Sequence, residues 1–126
     1  MKKEIIALTV FLLLFAVSLV NIHALTRLTE NIVTLVEEAD GFVREEDWEK
    51  ALKSAKGALR KWEDSGAYTH IIIRHTDIDS ATDVLSTLIK EIYAEERGSA
   101  IGAARAAIAR LRNVAATERL KLRNIL

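Results

Sequence analysis

The feature that most constrains this chain is an uncharged apolar run near its start. In "MKKEIIALTVFLLLFAVSLVNIHAL" the residues from Ile5 to Val20 are apolar, interrupted only by Thr9 and Ser18, and they follow Lys2 and Lys3. Crossing a bilayer as a helix takes about 20 residues. Reaching that length means continuing past Asn21 and His23 to about Leu25, with both polar side chains at the far interface. The lysine flank belongs on the cytoplasmic side, which puts the rest of the chain outside. A cleaved signal peptide competes with this reading, because Ile22-His23-Ala24 is a passable cleavage site. Against it, the apolar run is long for a signal-peptide core. A buried helix of a soluble protein is the third reading. The one adopted is a retained anchor over residues 1–25, lipid-embedded through residues 5–25, followed by an extracytoplasmic domain over 26–126.

The remainder of the chain favours helix almost everywhere. None of the 126 residues is proline, and alanine, leucine, isoleucine, arginine and glutamate are common, which predicts an all-α fold. The length suits one small domain. Cysteine is absent, which excludes disulfides, thiol catalysis and cysteine-based zinc sites. The formal net charge is zero, so no strong pull toward nucleic acid is expected.

Four helices are predicted after the anchor. The first covers about Leu25 to Val43 as a continuation of the membrane helix, with Leu28, Ile32, Leu35, Val36, Ala39 and Val43 on one stripe. Gly41 and the run Arg44-Glu45-Glu46-Asp47 mark a turn, with Asp47 able to cap the next helix. The second covers Trp48 to about Arg74, with Trp48, Leu52, Ala55, Leu59, Trp62, Gly66, Thr69 and Ile73 on one face and its weakest point at Gly66. The third, Ile78 to Tyr93, buries Ile78, Ala81, Leu85, Leu88 and Ile92. The fourth, about Ala100 to Ala116, buries Ala100, Ile101, Ala104, Ala107, Ile108, Leu111 and Val114.

An offset of 49 lines up Ala51, Ala55, Ala58, Leu59 and Trp62 with Ala100, Ala104, Ala107, Ile108 and Leu111, and Val36, Ala39 and Val43 with Leu85, Leu88 and Ile92. Each half then reads as a helical hairpin whose second helix is rich in small residues. The pair would form either a four-helix bundle or a tetratricopeptide-like stack. Any two amphipathic alanine-rich helices align about this well, so the echo alone does not establish a repeat.

One stretch looks like chemistry: Arg74-His75-Thr76-Asp77-Ile78-Asp79. Zinc needs three or four ligands converging at about 2 Å, and His70, His75, Asp77 and Asp79 are the available set. A helix boundary explains the same residues. Thr76 or Asp77 is a natural N-cap, Thr76 with Asp79 resembles a capping box, and His75 would close the preceding helix at its negative end. The boundary reading is adopted, with a ligand- or metal-sensing site as the alternative. No cofactor is called for. No serine lies in a nucleophile motif and there is no glycine-rich phosphate loop, so no enzyme activity is expected.

Charge placement is more telling than its sum. From Glu37 to Glu49 there are seven acids and one base, and from Arg97 to the C-terminus seven bases and one acid. Arg105 and Arg112 flank one side of the fourth helix's apolar stripe, either covering the core edge with their stems or offering a basic surface to anionic lipid or an acidic partner. Trp48 and Trp62, on one helix face, are expected in the core.

The segments "EEDWEKALKSAKGALRKWE", "HTDID" and the C-terminal "ERLKLRNIL" resemble, across nearly the whole chain, the bacterial family known as domain of unknown function 4363. The resemblance implies a small, single-anchor, helical protein of Gram-positive bacteria and carries no activity with it. This chain departs from the pattern in lacking a proline near Val114–Thr117, which leaves open where the fourth helix ends. The expected function is therefore that of a non-enzymatic accessory protein. It would be held in the cell membrane and bind an integral membrane protein or a second copy of itself. Trp48, Trp62 and His75 would be its framework, and the Arg105/Arg112 edge its contact surface.

Overall fold

In a computed structural model of the chain, which describes residues 1–66 and 75–125, four helices form and no strand occurs among the described residues. They are α1 (Lys2–Arg44), α2 (Trp48–Asp64), α3 (His75–Tyr93) and α4 (Arg97–Ile125). α1 runs 43 residues without a break, about 64 Å at 1.5 Å per residue. Its two parts have different surroundings. No residue before Leu25 is buried, whereas Leu25, Thr29, Ile32, Val33, Val36, Ala39 and Val43 are. The anchor segment and the first helix of the domain are thus one rod, and the border drawn at residue 25 falls inside it.

α1 and α3 each pack against both α2 and α4. The ring closes, so the fold is a four-helix bundle; an open tetratricopeptide-like stack would leave the first and last helices apart. Residue size explains the closure. α1 and α3 supply Ile32, Val36 and Val43, and Leu85, Leu88 and Ile92. α2 and α4 supply Ala51, Ala55 and Ala58, and Ala100, Ala104 and Ala107, all buried. Large side chains from one diagonal pair fill the space that alanines leave on the other. Each fully buried Leu or Ile contributes about 1.5–3 kcal/mol.

The 49-residue echo extends well beyond those side chains. Buried Ile32, Val36, Ala39 and Val43 correspond to buried Ala81, Leu85, Leu88 and Ile92, and buried Ala51, Ala55, Ala58 and Trp62 to buried Ala100, Ala104, Ala107 and Leu111. The connecting turns repeat atom for atom. Glu46 N donates to Val43 O at 3.0 Å and Asp47 N to Phe42 O at 2.9 Å. Forty-nine positions on, Glu95 N donates to Ile92 O at 3.0 Å and Glu96 N to Glu91 O at 3.4 Å. Both are Schellman motifs, which end a helix on one left-handed residue. That residue is Glu46 (φ 58°) in one turn and Glu95 (φ 55°) in the other. Asp47 serves twice, closing α1 through its N–H and capping α2 through its carboxylate, which accepts from Lys50 N at 3.2 Å. The domain is two structurally equivalent hairpins related by an approximate twofold along the bundle axis.

Several boundaries differ from expectation. Gly41 lies within α1, and the turn follows at residues 45–47. α2 ends at Asp64, where Ser65 Oγ donates to Trp62 O at 2.6 Å; Thr69, Ile73 and Arg74, expected on its face or at its end, lie outside the described residues. α3 begins at His75. His75, Thr76 and Asp77 are helical within α3, so neither Thr76 nor Asp77 is an N-cap, and the residues before His75 lie outside the described ones. The positive end of the helix dipole favours acids inside a first turn as readily as at the cap. α4 continues to Ile125 instead of stopping near Ala116, because neither proline nor glycine interrupts residues 103–125.

Candidate functional site

The residues singled out from the sequence fall in three separate places. Around the start of α3, Ile78 is buried, Asp77 half-buried and Asp79 exposed. His70 and the side chain of His75 lie outside the described residues. Among the described residues no three His, Asp or Glu side chains converge as metal ligands.

The two tryptophans have different surroundings although they share a helix. Trp62 is 2% exposed. Its indole N–H donates to Thr82 Oγ1 on α3 at 3.1 Å, and that hydroxyl donates on to Ile78 O at 3.0 Å. A buried indole keeps a hydrogen-bond partner, and the relay supplies one across the α2–α3 contact. Trp48 is half-buried and lines a shallow open groove of about 310 Å³ with Glu49, Leu52, Ile92, Tyr93 and Glu95. Tyr93 is exposed and carries Lys56 Nζ 5.1 Å above its ring. Tyr93 and Glu95 are brought beside Trp48 by the antiparallel register of α2 and α3, which spacing within either helix does not contain.

On the Arg105/Arg112 edge, Arg112 faces α1. Arg112 reaches Glu30 at 3.5 Å and Glu37 at 3.6 Å, two acids two turns apart. Both partners are about half exposed, so each pair contributes at most about 1 kcal/mol. The pairs set α1 and α4 in antiparallel register, as does Arg97 Nε donating to Arg44 O at 3.3 Å. Arg105 is solvent-exposed on the same helix.

The register sorts charge along the bundle. Glu45, Glu46, Asp47, Glu95 and Glu96 gather at the end where both turns lie. Arg119, Lys121 and Arg123 lie at the opposite end of α4, alongside the part of α1 that leaves the bundle. That exposed part of α1 is long and apolar enough to cross a membrane by length and composition, and none of it is buried. Ile5, Leu13 and Val20 are 64%, 61% and 67% exposed.

Neither a curated protein nor a solved structure matches the chain. The family model described as Domain of unknown function (DUF4363) matches residues 19–125, from within the exposed part of α1 to the end of α4, and the chain belongs to that family.

Proposed function

We propose that this protein is a membrane-anchored, non-enzymatic accessory protein that presents its bundle outside the cytoplasm to an integral membrane protein or to a second copy of itself. The observation that carries the reading is the apolar first part of α1, in which no residue is fully buried and which is continuous with a bundle that has its own core. A contiguous apolar surface of this size is unfavourable in water, at about 25 cal/mol per Å², and a bilayer removes it. Lys2 and Lys3 orient the helix with its N-terminus in the cytoplasm. Retention is supported by the family match, which includes residues 19–24; cleavage after Ala24 would remove them. The Arg105/Arg112 edge is the contact surface for the partner.

The test is purification of tagged full-length protein in gentle detergent from its own membranes, after an alkaline carbonate wash. The expected result is retention through the wash and a stoichiometric membrane protein, or a second copy, that is lost when Arg105 and Arg112 are both changed to Glu. Release by carbonate would refute the anchor. Assembly unchanged by the double substitution would remove that edge as the contact surface.

A further inference from the structure

α4 outlasts its counterpart in the first hairpin. α2 ends at Asp64, which corresponds to Asn113, yet α4 continues to Ile125, roughly three further turns. Arg112 lies between Glu30 and Glu37 on the antiparallel α1, and this contact gives the register of the extension. Stepping outward from it, one residue of α4 against one of α1, Arg119 arrives between His23 and Glu30 and Arg123 between Leu19 and Thr26. The covering of α1 agrees. Ser18, Asn21 and Ile22 are partly buried, while Leu19, Val20 and His23 are exposed, as expected where a second helix lies along one side.

On the anchored reading this level has a definite depth. The run from Ile5 to Val20 measures about 24 Å, somewhat less than the hydrocarbon thickness of about 30 Å. The outer edge of the hydrocarbon then falls near residues 21–25, and the lipid phosphates lie just beyond it. The extension brings Arg119, Lys121 and Arg123 to that layer. Arg119 and Arg123 are exposed one turn apart; Lys121 is partly covered and pairs with Glu118 at 2.9 Å. Leu120, 55% exposed, lies between them. Among the described residues neither Arg119 nor Arg123 has an ion-pair partner, and with the outward Leu120 they match a surface of phosphate over acyl chain.

We propose that the last two turns of α4 form a cationic collar that binds the phosphates of anionic phospholipids in the leaflet on which the bundle stands. The proposal rests on the anchored reading. The collar ties the free end of α4 to the surface that α1 has already crossed, so the bundle is held at two points and its tilt responds to the charge of the lipid.

The chain has no cysteine, so Asn124→Cys in the full-length protein gives a single site for a fluorophore at the collar. The labelled protein is reconstituted in vesicles of phosphatidylcholine alone and of phosphatidylcholine mixed with phosphatidylglycerol, and quenching by neutral acrylamide is measured. Each basic side chain near an anionic surface changes the docked-to-undocked ratio about fivefold. Arg119→Gln with Arg123→Gln should therefore lower that ratio about 25-fold in the mixed vesicles and leave the phosphatidylcholine result unchanged. Arg119→Lys with Arg123→Lys should preserve the protection. Release of the protein by alkaline carbonate overturns the anchored reading and the collar with it. Retention with quenching indifferent to phosphatidylglycerol overturns the collar alone, as does protection that inorganic phosphate removes at constant ionic strength.

Discussion

The pair Trp62 and Thr82 offers a quantitative test of the twofold relation between the hairpins. At the equivalent positions stand Leu111 and Val33, both buried. One half therefore has an indole facing a hydroxyl and the other two hydrocarbons. Thr82→Val removes the acceptor of the Trp62 N–H, which is 3.1 Å away in a side chain only 2% exposed. A buried donor left without a partner costs about 1–3 kcal/mol. Trp62→Leu alone leaves a cavity, at a cost of about 2 kcal/mol or more. Together the two changes install the residues that the other hairpin already uses. With no indole to satisfy, Thr82→Val should then cost close to nothing. The double variant is accordingly less destabilised than the sum of the singles by about 1–3 kcal/mol.

The assay is denaturant unfolding of the full chain in mild detergent, followed by far-ultraviolet circular dichroism, because one variant removes one of the two tryptophans. Each single variant should shift the midpoint without changing the slope. Additive effects, with a coupling below about 0.3 kcal/mol, would refute both the hydrogen-bonded relay and the idea that the two halves can exchange residues at equivalent positions.

Three further expectations use the same unfolding assay. Asp47→Ala should cost about 1 kcal/mol, because it removes the cap that accepts from Lys50 N; a neutral result would show the cap to be unnecessary. Glu46→Gly and Glu95→Gly should each stabilise by about 0.5–1 kcal/mol, since both glutamates hold a left-handed conformation that suits glycine. Effects of opposite sign at the two sites would contradict the equivalence of the turns. Asp40→Ile should raise stability by about 1 kcal/mol. Asp40 Oδ1 is buried without a hydrogen-bond partner among the described residues, only Oδ2 meets Arg44, and the equivalent residue Ile89 packs on the core. A loss of stability there would mean that the Arg44 pairing outweighs the buried oxygen.

Much of this fold could be read from residue spacing because apolar periodicity reports which face is buried. All five residues assigned to the stripe of α3 are buried. Periodicity places the face of α2 slightly rotated from the observed one. Periodicity gave weight to Trp48, Leu52 and Leu59, which are half-buried, whereas the line of contact runs through Ala51, Ala55, Ala58 and Trp62. Small residues carry little hydrophobic signal, yet they mark where helices approach most closely. Thr29 was missed for a related reason: it is buried with its hydroxyl donating to Thr26 O at 3.0 Å, a local bond that makes a polar residue acceptable in a core. The extension of α4 was under-read because its apolar stripe gives way near Ala116 to charged residues. Its inward side there includes Glu118, 8% exposed and paired with Lys121. The candidate surfaces were harder still. Which side chains meet depends on ring closure and helix register, and spacing within a single helix contains neither.

The two hairpins agree where they build the bundle and differ where they leave it. The buried stripes and the Schellman turns are common to both, so these positions are accounted for by folding alone. The departures from equivalence are the apolar extension that begins α1, the basic extension that ends α4, the Trp62/Thr82 relay and Asp40. The relay and Asp40 lie inside the bundle, and a change of stability can account for them. Past the buried Val114, Ala115 and Glu118 the described end of α4 is no longer in the core, and because α1 and α4 are antiparallel it emerges at the same end of the bundle as the apolar start of α1. Their coincidence at one end is the arrangement on which the proposed anchor and the proposed collar both rest.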